Sequence, residues 1–187
     1  RYLLVCGYFF MPALRGAPML AFLHKARRAG VTVIFDTGWD LDDWPAATRQ
    51  EVLSLLPAVD IFAPNEDEAR ALTGLSDPAA CAQTLLAHGA GAIALKLGPN
   101  GSLWADAAGR VLQPGHAVRA VDTTGAGDSF NAAFIYGREQ GWEKARCLAF
   151  ANAFCSVVVS RLHDRFPSAE EALALSKGAK RDVGEIP

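Results

Sequence analysis

The chain has 187 residues, 51% of them hydrophobic and 20% charged, with a formal net charge of −2. This balance suits one globular domain over residues 1–187 with a buried core, and it argues against a disordered chain. The near-neutral charge supplies no basic field for nucleic acid or an anionic membrane, so charge clusters read first as solvated faces.

In chain order, residues 2–6 form a short apolar strand, and residues 18–29 have helical spacing, closed by Gly30. Residues 31–35 are β-branched and apolar, a buried strand ending at Asp36. A helix is expected over 45–56, a strand over 59–63, and helices over 66–72 and 78–88, closed by Gly74 and Gly89. A strand over 92–97 leads to the turn Gly98-Pro99-Asn100-Gly101, and residues 102–105 and 110–112 read as a hairpin around Asp106. A strand over 116–121 leads into a glycine-rich run. Helices follow over 126–140, 142–160 and 168–176, and a polar, frayed tail begins at Lys177. Strand and helix alternate as in an α/β fold with a parallel sheet and helices on both faces. In such sheets ligands sit beyond the carboxyl ends of the strands.

Cys6, Cys81, Cys147 and Cys155 form no CxxC pair and read as buried small hydrophobes in a reducing compartment. His24, His88, His116 and His163 are too scattered for a zinc site. The longest apolar run, 147–159, is shorter than the roughly 20 residues a membrane span needs. A cytoplasmic protein is the expectation, with no membrane or nucleic-acid partner.

The strongest chemical signal is Asp122-Thr123-Thr124-Gly125-Ala126-Gly127-Asp128-Ser129-Phe130, at the opening of a helix. Small residues there let backbone N–H groups approach an anion, and the helix dipole adds positive charge. Such a site suits a phosphate whose charge shifts during transfer. Asp128 lies in the first helical turn, where a carboxylate can take the proton of an attacking hydroxyl. The donors of Gly125, Ala126 and Gly127 would hold the transferred group beside it. The plain alternative is a glycine-rich helix start with an acid placed to favour the dipole.

The nine-residue string resembles the second signature of the PfkB, or ribokinase-like, family of carbohydrate kinases. The resemblance implies a three-layer α/β/α fold, transfer of the γ-phosphoryl of ATP to a sugar hydroxyl, and Mg²⁺ as the metal. It extends to three further segments in matching order. Asn65-Glu66-Asp67-Glu68 resembles the family's NxxE segment, which implies that Asn65 and Glu68 position magnesium through its waters; by residue chemistry alone this is a capped helix start. Lys96-Leu97-Gly98-Pro99-Asn100-Gly101 resembles the loop along the nucleotide phosphates, which places Lys96, Gly98 and Gly101 at the nucleotide. Asn152 matches a position near the adenine, or else makes an interhelical hydrogen bond. Asp122 and Thr124 match ligands of a monovalent cation such as K⁺, with Val158, Arg161 and Ser168 as later ones, although His163 stands where a glycine is common. Asp36 and Trp44 echo a further family segment that packing explains equally well.

Complete family members are longer. The resemblance therefore implies that the N-terminal part, with most sugar contacts and a lid that often mediates homodimer pairing, is missing here. A nucleotide-binding fragment without turnover is accordingly an alternative. A dinucleotide-binding oxidoreductase would need a glycine where Phe130 stands, a P-loop NTPase would need Gly-Lys-Ser/Thr, and a serine hydrolase at Ser129 would need an Asp-x-x-His pairing. The sugar itself, whether ribose, fructose, a keto-deoxy acid or a nucleoside, is not written in these residues.

Overall fold

The computed structural model describes residues 1–161 and 166–178. Six strands form one sheet in the order β1 to β6: β1 Tyr2–Val5, β2 Thr32–Phe35, β3 Ile61–Phe62, β4 Ala92–Lys96, β5 Ser102–Asp106 and β6 Gly109–Gln113. The first four are parallel, with Leu4 opposite Ile34, Phe35 opposite Phe62, and Phe62 opposite Ile93. The two-residue turn at Ala107-Ala108 folds β6 back on β5 as the expected hairpin, so the sheet is mixed. The expected α/β class is observed.

Backbone packing divides the chain into two compact units. The first holds Arg1–Leu97 and Leu103–Arg110, with helices α1 Ala17–Arg28, α2 Ala46–Leu55, α3 Glu66–Thr73 and α4 Pro78–Ala87. Its parallel strands are laid down in one direction, so right-handed crossovers carry the intervening helices to the same face. Val33, Phe35, Phe62, Ile93 and Leu95 from the strands meet Met19, Leu23, Val52, Leu55, Leu72 and Leu85 from the helices in one buried cluster. Burying an aliphatic or aromatic side chain of this kind is worth about 1.5–3 kcal/mol, which drives these short strands together.

The second unit holds Gly98–Ser102 and the residues from Val111 onward, with α5 Ala126–Glu139, α6 Lys144–Val159 and α7 Ala169–Gly178. Phe130, Ala133 and Phe134 of α5 are buried, as are Cys147, Leu148, Phe150 and Ala151 of α6. The apolar run over 147–159 is thus a buried helix, and no helix among the described residues is long and apolar enough to cross a membrane. Lys177 lies in the last turn of α7, which ends at Gly178, so the expected tail does not begin at Lys177, and the residues from 179 lie outside those described. Of the cysteines, Cys81 and Cys147 are buried as expected, Cys155 is half-buried and Cys6 is exposed.

One expected element is absent. The expected strand over 116–121 does not form; residues 114–120 are irregular and Val121 lies in a bend. Pro114 supplies no N–H for a ladder, and the Val121 and Asp122 N–H groups donate to the Val159 carbonyl at the end of α6, at 2.7 and 3.3 Å. The stretch enters the glycine-rich run as irregular backbone tied to a helix end.

Candidate active site

In the first unit, three neighbouring parallel strands end on polar residues. β2 runs into Asp36, whose N–H donates to Val5 O at 2.8 Å. Beyond β3, Asn65 makes a parallel bridge to Lys96, the last residue of β4. Strand register therefore gathers Asp36, Asn65 and Lys96 at the carboxyl edge, where open α/β sheets bind ligands.

Asn65 and Glu68 form a complete capping box at the start of α3. Glu68 N–H donates to Asn65 Oδ1 at 2.8 Å; Asn65 N–H and Nδ2 donate to Glu68 Oε2 and Oε1 at 2.8 and 2.9 Å. Glu68 is buried, and burial pushes its carboxyl up to about 7 despite the opposing charge of Lys96. Asp36 pushes it the same way as burial. Both carboxylate oxygens already accept from Asn65, and no group of three or more His, Cys, Asp or Glu among the described residues is arranged to hold a metal ion. A divalent cation here would have to bring its own phosphate and water ligands, with Asn65 and Glu68 reaching it only through those waters.

Lys96 has a partner that the sequence does not announce. Its Nζ lies 2.5 Å from Asp36 Oδ2, with the two side chains only 12% and 7% exposed. The one signal available in the sequence is that each residue lies at or next to the end of an expected apolar strand. Around Asp36 the chain is unusual: Asp43 and Trp44 both have φ of 57°, and buried Thr37 Oγ1 and Trp44 Nε1 have no hydrogen-bond partner. Trp44 packs edge-on to Phe9 and Trp39. A groove of about 490 Å³ between α4 and the β5–β6 turn is lined by Asp77, Gln83, Leu103, Asp106 and Arg110, and includes none of the predicted site residues.

In the second unit, residues 98–101 lie against residues 113–115. A Cβ on Gly101 would stand 2.1 Å from Gln113 O, and one on Gly115 would stand 2.3 Å from Pro99 O. Only glycine permits this backbone approach. Gly115 was not singled out from sequence, because its need arises from a chain crossing rather than from a local motif. Asn152 holds the same segment. Its Nδ2 donates to Gln113 O at 3.0 Å and Pro114 O at 3.1 Å, so both amide hydrogens are spent on backbone.

Also in the second unit, Gly125 caps α5 in the left-handed region at φ 71°, with no side-chain cap. Ala126 N–H donates to Thr123 O at 3.1 Å, so of the three predicted donors this one is engaged in a turn. Asp128 is exposed on the first turn, and Cys155 Sγ donates to Ala126 O, tying α6 to that turn. Asp122 Oδ1 accepts from Thr124 N–H at 2.9 Å. Among the later cation ligands, Val158 O accepts from Arg161 N–H, and Ser168 exchanges capping bonds with Glu171. His163 lies outside the described residues.

A family model for pfkB family carbohydrate kinases matches residues 1–172, and the chain belongs to that family. This sets aside the dinucleotide-oxidoreductase reading. Among curated relatives, a Haemophilus influenzae 1-phosphofructokinase is 34% identical over 146 residues, covering 75% of this chain and 44% of its own. The solved Arabidopsis thaliana ribokinase complexed with ribose and ATP is 30% identical with a TM-score of 0.72, covering 84% of this chain and 51% of its own. A Vibrio cholerae fructokinase solved with fructose, ADP and calcium ion has a TM-score of 0.78 over 93% of this chain and 60% of its own; at 23% identity it speaks for the fold alone. The chain spans about half the length of the curated relatives it matches.

Proposed function

We propose that this chain is the nucleotide-binding and phosphoryl-transfer part of a sugar kinase, one catalytic part over residues 1–187. The observation that carries the reading is Asp128, an exposed carboxylate on the first turn of a helix whose start has a left-handed glycine and no side-chain cap. In the proposed reaction Asp128 accepts the proton of the acceptor hydroxyl. The hydroxyl oxygen then forms a bond to the γ-phosphorus as the β–γ bridging P–O bond breaks, and ADP leaves with that electron pair. The Gly125 and Gly127 N–H groups and the dipole of α5 would face the charge that develops on the transferred group, and Ala126 N–H would join them only by leaving Thr123 O.

Lys96, Gly98 and Gly101 line the nucleotide in this reading. Asn152 contributes by fixing the 113–115 backbone against the 98–101 loop. Magnesium, when bound with ATP, neutralises phosphate charge; Asn65 and Glu68 would hold its waters. On the family resemblance, Asp122 and Thr124 would hold a monovalent cation such as K⁺. The relatives' names and bound ligands support a sugar-like acceptor, and on the family resemblance any pairing through a lid would need the longer protein. The half-length coverage favours a second reading, in which these 187 residues bind nucleotide without turnover.

The test is transfer of radiolabelled γ-phosphate from ATP to a sugar panel by the chain and by any longer protein that carries it. Acceptor-dependent labelling supports the kinase. Nucleotide binding by both without labelled product supports the second reading, and the absence of binding and labelling contradicts both.

A further inference from the structure

Within the second unit, α6 meets the backbone that runs from the end of β6 into α5. Asn152 Nδ2 donates to Gln113 O and Pro114 O. Cys155 Sγ donates to Ala126 O at 3.3 Å. The Val159 carbonyl accepts from the N–H groups of Val121 and Asp122. Positions 152, 155 and 159 have the i, i+3, i+7 spacing of one helix face. That face therefore touches the crossing at Gly101 and Gly115, the first residue of α5, and the entry to the glycine-rich run.

The Cys155 contact is not imposed by its own helix. The next residue, Ser156, turns its hydroxyl back onto Asn152 O, as small polar side chains in helices commonly do. Cys155 instead reaches across to Ala126, two residues before Asp128. α5 starts with no side-chain cap, after a glycine in the left-handed region, where the backbone is most permissive. The start of α5 thus takes part of its placing from α6. We infer that this α6 face is a positioning element for phosphoryl transfer, with Cys155 the positioning residue that sets the first turn of α5 and with it the Asp128 carboxylate. This inference rests on the sugar-kinase reading above. Cys155 acts through Ala126 and not on the reacting atoms, whereas Asn152 acts on the side of the nucleotide loop. Loss of the thiol therefore bears on the transfer rate and not on nucleotide affinity.

The test compares wild type and Cys155→Ala, in the chain and in any longer protein that carries it. It reads the single-turnover rate of γ-phosphoryl transfer from MgATP to the best acceptor of the sugar panel, and the Kd for MgATP. The rate is expected to fall by about three- to fivefold, the kinetic equivalent of a weak S–H···O bond, while the Kd stays unchanged. Cys147→Ala is the structural control, because Cys147 is buried on α6 beside Gly137 of α5 and donates to Trp142 O. It is expected to lower the melting temperature and leave the transfer rate as it is. Hydrogen exchange of the Ala126 and Ser129 amides, which bond to Thr123 O and Gly125 O, reads the turn without any activity. It is expected to quicken in Cys155→Ala and not in Cys147→Ala. Thermal melts of each variant establish that it is folded.

An unchanged transfer rate in folded Cys155→Ala overturns the inference, as does an equal loss of rate in Cys147→Ala or a loss confined to MgATP affinity. Unchanged exchange at Ala126 and Ser129 overturns it as well. If the wild type transfers no phosphate in any of these proteins, the kinase reading fails first and takes this inference with it, whatever the exchange shows.

Discussion

Gly101 and Gly115 sit where two backbone segments pass so closely that neither position has room for a Cβ. The obstructing atoms are Gln113 O, Gly115 N and Pro99 O, all main chain, so no side chain can swing aside. Gly101 also has φ of 99°, which adds strain for any L-residue. Gly115→Ala is expected to destabilise the protein by about 2–3 kcal/mol, the upper part of the range for overpacking. Urea denaturation measures it. A shift under 0.5 kcal/mol, the size of an ordinary surface substitution, would contradict the close crossing.

Asn152 is the side-chain support of the same crossing. Asn152→Ala removes the side-chain donor from the carbonyls of Gln113 and Pro114 and is expected to cost about 1–3 kcal/mol. Asn152→Asp should cost more, because an acceptor-only carboxylate would face two carbonyl oxygens. Thermal melts of the two variants decide it. If Asn152→Asp melts with the wild type, the amide is not held by these carbonyls.

Glu68 predicts a pH dependence of stability. Burial raises its folded-state value to about 7 from the ordinary 4.5, so the folded chain binds the proton more tightly than the unfolded chain. The associated stability is present below pH 4.5 and is lost as pH rises through 7. It amounts to on the order of 2–3 kcal/mol. Glu68→Gln cannot ionise and should remove this component, so the difference between the stability–pH curves of wild type and variant isolates it. Parallel curves between pH 4.5 and 8 would contradict the assignment.

Much of the first unit was legible in sequence because its signals are local. Apolar runs ending at Asp36 and Leu97 mark parallel strands, and Asn65-x-x-Glu68 marks a helix start that closes as a capping box. The Asp36–Lys96 pair was not legible, since it joins residues 60 apart through strand register. The expected strand over 116–121 failed because β propensity there competes with Pro114 and with the Val159 carbonyl, which takes the Val121 and Asp122 N–H groups. The sequence leaves Asn152 open between a place near the adenine and an interhelical hydrogen bond; its amide hydrogens in fact go to the end of β6 and the residue after it, which is not an interhelical bond.

Asp128 is the group proposed to take the acceptor proton. The most direct measurement compares wild type and Asp128→Asn, in the chain and in any longer protein that carries it, for acceptor-dependent phosphoryl transfer and for MgATP affinity. Transfer is expected to fall by about 10²–10⁴-fold while the Kd for MgATP stays nearly unchanged. Wild-type transfer rates in the asparagine variant would contradict it.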